Sequence, residues 1–164
     1  MGSIIGIQEV QKFANVPKSI DGQTIEPLIK SAQTFDLEPK IDPIMFSDLL
    51  GPIDNEARPE LAEFKAEKVA PFLAYHVFIR MLTSFGRDLS PSGLIKPSDP
   101  RGTFQPADER DRSAMIRQAQ SDLNVYETRL FLALDAAGYK FDGVQYVELT
   151  KKPKSGRKFK ISAI

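Results

Sequence analysis

A run of apolar residues from Val69 to Leu82 constrains the fold of this chain more than any other stretch. Eleven of its fourteen residues are apolar when Pro71 is counted and Tyr75 is left out. A helix that is apolar on nearly every side must be buried on nearly every side. At about 1.5 Å per residue the run is only about 21 Å long, which is too short to span a bilayer comfortably. The sequence therefore predicts a buried central helix in a small helical domain.

The central helix is predicted to extend well beyond the apolar run. Pro59 suits the first helical turn, and helix-forming residues continue to about Phe85. Pro71 lies inside this stretch, removes one backbone hydrogen bond and should kink the helix. Gly86 is the expected terminating residue. We therefore expect one long, kinked helix from about Pro59 to Phe85.

A second long helix is predicted from about Ala107 to Ala137, because apolar residues recur there at alternating spacings of three and four. This spacing forms the a/d seam of helix bundles. The seam residues are Ile116, Ala119, Leu123, Tyr126, Leu130, Ala133 and Ala137. The Val69–Leu82 run is the expected partner of the seam, and Gly138 is the expected end of the helix.

Shorter helices are predicted in the first third of the chain. Apolar periodicity indicates one at 25–37, with Thr24 as its N-cap and Pro39 as its end, and another at 43–50. The stretch from Ile4 to Phe13 gives a weaker signal, which fits either a short strand or a single helical turn.

The remaining segments predict irregular or β structure. Residues 86–106 are rich in Gly, Pro, Ser and Asp, and we expect a long loop or a minimal hairpin there. Asp142-Gly143 is typical of a type I′ hairpin. The predicted fold is therefore mainly α: a bundle of about four helices forming a domain at 1–138, followed at 139–164 by an extended arm with β character and a basic tail.

The composition excludes several kinds of chemistry. The chain has no cysteine and a single histidine, so disulfides, thiolate nucleophiles and multi-histidine metal sites are excluded. Asp36, Asp42 and Asp48 do not have the spacing of a calcium or magnesium loop, and we expect them at helix caps and on solvated faces. No catalytic motif is present. We therefore expect a protein that is not an enzyme and has no catalytic residue, no metal and no cofactor.

His76 and Arg80 lie one helical turn apart within the apolar run. They fit either a buried acid/base or anion site, or a partly exposed stripe where the helix meets another surface. A lone histidine without a positioned partner does not make a catalytic triad. The other predicted helices cover the remaining faces of the run. We therefore expect this stripe to lie against the 86–106 loop or a neighbouring subunit.

The charge is unevenly distributed along the chain. The last fourteen residues contain six basic residues and no acidic one, which leaves 16 basic and 22 acidic residues before them and a net charge of −6 there. Such a tail fits docking on an acidic surface or on nucleic acid, although a solvated terminus is the alternative. The candidate interface residues in the tail are Lys151, Lys152, Lys154, Arg157, Lys158, Phe159, Lys160 and Ile161.

Two segments carry a resemblance to a known family. The first is Ile25-Glu-Pro-Leu-Ile-Lys-Ser-Ala-Gln-Thr-Phe-Asp-Leu-Glu-Pro-Lys-Ile, followed shortly by Phe46-Ser-Asp-Leu-Leu. The second is Lys68-Val-Ala-Pro-Phe-Leu-Ala-Tyr-His-Val-Phe-Ile-Arg-Met-Leu, followed by a Leu-Ser-Pro-Ser-Gly-Leu turn. Together they resemble the small helical head–tail connector proteins of tailed bacteriophages, also called adaptor or neck ring proteins, especially those of Bacteroidetes and crAss-like phages.

The resemblance implies a structural virion protein that joins the portal vertex to the tail. It implies a homo-oligomeric ring of twelve copies, with the portal protein and further tail or neck proteins as partners. Genomic DNA would pass through the ring without sequence-specific binding, and no membrane would be involved. The protein would lie in the virion neck after assembly in the host cytoplasm.

Two other functions fit parts of the sequence. The basic tail fits a helical nucleic-acid-binding module with a packaging or regulatory role, and the pair His76 and Arg80 leaves room for an enzyme with an unrecognised site.

Overall fold

The fold is mainly helical, as predicted. The computed structural model describes residues 2–14, 16, 20, 22–88, 95–97, 104–106 and 109–149. Its helices are α1 (Ile7–Ala14), α2 (Gly22–Ala32), α3 (Pro43–Leu50), α4 (Pro59–Phe64), α5 (Ala70–Asp88) and α6 (Glu109–Ala136). Its strands form two antiparallel hairpins, β1 (Ile95–Pro97) with β2 (Phe104–Pro106) and β3 (Lys140–Phe141) with β4 (Val144–Gln145).

The long central helix is present, with an irregular turn just before its internal proline. A π turn at Lys65–Val69 joins α4 to α5, and the Ala70 N–H donates to the Lys65 carbonyl. Pro71 has no N–H with which to make the regular helical hydrogen bond. The irregular π turn lies immediately before this proline. The helix passes through Gly86 and continues to Asp88, so the predicted end at Gly86 is wrong.

The helix α2 ends in the same way. A π turn at Gln33–Leu37 and a 3-10 turn at Glu38–Lys40 follow it. The Glu38 N–H, just before Pro39, donates to the Gln33 carbonyl. The helix begins at Gly22, so Thr24 lies inside it and is not its N-cap. The first segment forms the helix α1 and not a strand.

The core is built around α5, which packs against α1, α2 and α6. Phe72, Leu73, Val77 and Met81 on α5 are fully buried. The seam of α6 faces this core as predicted: its buried members are Ala119, Leu123 and Leu130, and Leu134 is buried beside them. One half-buried member, Tyr126, stacks on Tyr75 with 5.0 Å between the ring centroids.

The end of α6 is closed by glycine geometry, as predicted. The Tyr139 N–H donates to the Leu134 carbonyl at 3.0 Å, and the Gly138 N–H donates to the Asp135 carbonyl at 3.1 Å. This is a Schellman motif, and Gly138 takes the positive φ of 59° that it requires.

The C-terminal hairpin has the predicted turn and also caps a distant helix. Asp142 and Gly143 have φ values of 49° and 83°, as a type I′ turn requires. The Asp142 carboxylate accepts the Glu60 and Leu61 N–H groups at 3.1 and 3.0 Å, and the Glu60 carboxylate accepts the Asp142 N–H at 2.7 Å. Phe141 and Tyr146 are buried, so the arm packs against the helical body at these two residues.

The hairpin predicted around 86–106 lies partly outside the described residues. The strands that the structure describes pair Lys96 with Gln105, whereas the Ser-Pro-Ser-Gly turn at 90–93 falls outside them.

Candidate functional site

Asp36 joins His76 and Arg80 within the chain. It lies in the π turn after α2, and its Oδ2 is 3.3 Å from His76 Nδ1. Arg80 donates to the same oxygen through Nε at 3.1 Å and Nη2 at 2.6 Å. The stripe was expected to lie against the 86–106 loop or a neighbouring subunit, and within the described residues its polar atoms bind Asp36 of the segment after α2. The sequence did not reveal this partner, because the π turn sets the direction of the Asp36 side chain.

Aromatic and charged side chains surround the imidazole of His76. The Phe72 ring meets it edge-on, with 4.6 Å between the ring centroids, and the Lys40 ammonium lies 5.5 Å from the centre of the Phe72 ring. Lys40 forms an ion pair with Glu127 on α6. His76 Nε2 is buried and has no hydrogen-bond partner among the described residues. The cluster thus links the end of α2 to both α5 and α6.

Burial lowers the pKa of His76 below its ordinary value of 6.5. The cations of Lys40 and Arg80 lower this pKa further, while the carboxylates of Asp36 and Glu127 oppose the shift. The lowered pKa favours the neutral imidazole over the charged form. A neutral ring with its proton on Nδ1 can donate to Asp36, and only the Nε2 lone pair is then left unpaired.

The free energy of unfolding is expected to decrease as the pH falls from about 6.5. The unfolded chain binds a proton at His76 more readily than the folded chain does, so acid favours unfolding in this window. Urea denaturation at a series of pH values checks this, and the His76→Gln variant should lack this component. Because the chain has one histidine, its imidazole NMR signals report the pKa directly. A folded-state pKa at or above 6.5 would contradict the prediction.

Asp36, His76 and Arg80, which we call the clamp, have the chemistry of a structural contact. A histidine–carboxylate pair can act as a base only where a substrate can reach the free nitrogen. His76 Nε2 is the nitrogen left free beside the carboxylate, and it is buried among the described residues. The geometry therefore supports a contact that fixes α2 on α5.

A second network holds the segment after β4 against α3. The Tyr146 hydroxyl donates to Asp48 Oδ2 at 2.7 Å, and Arg58 Nη1 lies 2.9 Å from the same oxygen. Arg58 also donates to the Tyr146 hydroxyl. Burial, together with the hydrogen bond to Asp48, raises the pKa of Tyr146.

Asp42 caps α3 and also binds the C-terminal segment. Its Oδ1 accepts the N–H groups of Ile44 and Met45 at 2.7 and 3.3 Å, and its Oδ2 accepts the Val147 N–H at 2.9 Å. Burial alone would raise the pKa of this carboxyl, but the three N–H donors outweigh it and lower the pKa. The prediction of a helix cap is confirmed for Asp42.

Of the other two aspartates, Asp36 forms an ion pair with Arg80 and Asp48 forms one with Arg58. No group of three or more metal-ligating side chains comes together within the part of the chain that the structure describes.

An exposed apolar patch lies where the described chain ends. Ile44 is 62% exposed, Val147 63% and Leu149 45%. The first two are adjacent because their backbone N–H groups bind the same Asp42 carboxylate. We call Ile44, Val147 and Leu149 the α3 patch. The chain continues from this patch into the basic tail.

Only two of the ten predicted interface residues can be placed. His76 and Arg80 lie in the clamp with Asp36, and their contact with a neighbouring subunit remains a prediction. The tail residues Lys151, Lys152, Lys154, Arg157, Lys158, Phe159, Lys160 and Ile161 lie outside the described residues.

Comparison with known proteins adds no relative. No protein family, no curated protein and no solved structure matches this chain. Among the described helices, none combines the length and the hydropathy needed to cross a membrane.

Proposed function

We propose that this protein is a structural component of the neck of a tailed phage. In this proposal it forms a homo-oligomeric connector ring, of twelve copies, between the portal vertex and the tail. Genomic DNA passes through the ring, and the α3 patch with the basic tail contacts the portal or an adjacent subunit.

The single observation that carries the proposal is the position of the α3 patch. Ile44, Val147 and Leu149 are exposed apolar side chains, and covering each of them would be favourable. The backbone N–H groups of Ile44 and Val147 bind the same Asp42 carboxylate, and Leu149 follows Val147 two residues later. Val147 and Leu149 come directly before a segment with six basic residues and no acidic one. An apolar contact next to a basic segment suits assembly, because a ring repeats each modest contact around its circumference.

The charge of the body also supports this role. Residues 1–150 carry a net charge of −6, so the body repels a DNA backbone and does not grip it. Such a surface suits a passage through which DNA must slide.

The proposal is tested by measuring association of the full-length protein with the portal protein encoded in the same genome. Native mass spectrometry should show species that contain several copies of the 18.3 kDa chain. The double variant Ile44→Asp with Val147→Asp should weaken this association about tenfold or more, because it places two charges in an apolar contact. The double variant Val125→Asp with Leu132→Asp, at two other exposed apolar positions, is the matched control and should have little effect. Wild-type protein that forms no complex with the portal protein would contradict the proposal.

A second candidate function is nucleic-acid binding through the basic tail. The observation that favours it is Phe159 among the six cations, since an aromatic ring can stack on a base. Duplex DNA binding that falls steeply with salt would favour this function over the ring. Lack of binding at low salt would exclude it.

A further inference from the structure

We propose that the groove between α4 and the end of α6 binds the basic tail of a neighbouring copy. This inference rests on the proposed ring, because it names the surface on which the tail would dock. The groove has a volume of about 650 Å³ and is open to solvent. It is bounded on one side by α4 and the π turn, and on the other by α6 and the hairpin β3–β4.

One wall of the groove is acidic. Glu60, Glu63 and Glu67 follow each other at spacings of three and four, so they share one face of the helix. Glu60 accepts the Asp142 N–H, and Glu67 lies 3.2 Å from the Lys68 ammonium. Glu63 is exposed and has no ion pair within the described residues. It is therefore a carboxylate available to an incoming cation.

Two lysines moderate this charge. Lys68 and Lys140 line the groove together with the three glutamates. The three glutamates and two lysines that line the groove together carry a net charge of −1. This negative charge is complementary to a basic segment without acidic residues.

The floor of the groove is apolar. The rings of Phe64 and Phe141 lie with 4.7 Å between their centroids, and Ala133 and Ala137 extend this surface along α6. An occupant that matches the groove must therefore present apolar side chains inward and cations at the rim.

The tail of this chain has that pattern. In Lys158-Phe-Lys-Ile161, basic and apolar residues alternate. In an extended segment successive side chains point to opposite faces, so the two apolar residues share one face. The long, flexible stems of the lysines let their ammonium groups reach the glutamates at the rim. The pattern matches both the apolar floor and the acidic wall.

The segment that leads into the tail and the groove lie on different elements of one copy. Residues 146–147 are held on α3 by Asp48 and Asp42, and the tail continues from there. Residues 150–164 span at most about 50 Å when fully extended, which is enough to reach an adjacent copy. A contact between two different patches repeats from copy to copy and closes into a ring when the rotation allows it.

Disulfide cross-linking between full-length copies tests the inference, because the chain has no cysteine of its own. Copies carrying Lys140→Cys in the groove are mixed with copies carrying Ser162→Cys in the tail. The matched control replaces the groove variant by Ser121→Cys, on the exposed face of α6. The groove pair should form mixed dimers at least about tenfold faster than the control pair, because docking raises the local concentration. Both Glu63→Lys and high salt should slow the reaction.

Equal rates for the groove and control pairs would overturn the inference. The double variant Lys140→Cys with Ser162→Cys, oxidised at high dilution, supplies a second test. Closure within one chain, without cross-links between mixed copies, would place the tail in its own groove and overturn docking on a neighbour. Portal-bound rings with a control-level cross-linking rate would refute the groove contact alone. Specific cross-links without any portal association would refute the proposed function alone.

Discussion

Replacing Leu130 by alanine is expected to lower the free energy of unfolding by about 2–5 kcal/mol. Leu130 is fully buried in the seam of α6 against the core around α5. Its loss removes apolar contacts and leaves a cavity that the neighbouring helices can fill only partly. Urea denaturation monitored by circular dichroism measures the change.

Leu132→Ala is the matched control for this substitution. Leu132 lies two residues away on the same helix but is 59% exposed. The same chemical change there should alter the free energy of unfolding by only about 0.5 kcal/mol or less. Similar losses at both positions would mean that the seam does not face the core.

Replacing Asp42 by alanine is expected to cost about 2–4 kcal/mol of folding free energy. The variant loses the cap of α3 and leaves the N–H groups of Ile44 and Val147 without their acceptor. It should also release the segment after Tyr146 from α3. Hydrogen exchange at Val147 measures this release separately from global stability.

Asp54→Ala is the control for the loss of Asp42. The Asp54 carboxylate also accepts two N–H groups, those of Glu56 and Ala57, but it is exposed and binds no distant segment. Its loss should cost about 1 kcal/mol or less and leave exchange at Val147 unchanged. Equal costs at Asp42 and Asp54 would show that the bond to Val147 contributes nothing.

Local patterns were sufficient to predict the principal helices. The spacing of the α6 seam and the apolar run in α5 depend only on helical periodicity, so their mutual packing followed from the sequence. Gly138 and the Asp142-Gly143 pair were predicted correctly, because few residues tolerate positive φ. Gly86 misled the prediction, since glycine is tolerated inside a helix that tertiary packing stabilises.

Contacts between distant residues were not predictable. The Asp142 carboxylate replaces a missing local cap on α4, where the Arg58 side chain makes no capping bond. Such pairs meet only because separate elements pack together, and no spacing within one element encodes them. The same holds for the candidate assembly residues. The basic tail was predicted from its run of charged residues, whereas the α3 patch was not predicted from the sequence.

The sequence by itself determined which stretches become helices and turns, and that Val69–Leu82 must be buried, because these follow from periodicity and backbone sterics. Only the tertiary structure decided what the polar residues of that run contact. It places Asp36 beside His76 and Arg80, because the π turn before Pro39 directs the carboxylate towards α5. The energy of such a contact depends on geometry and on burial from water, and both exist only once the helices have packed.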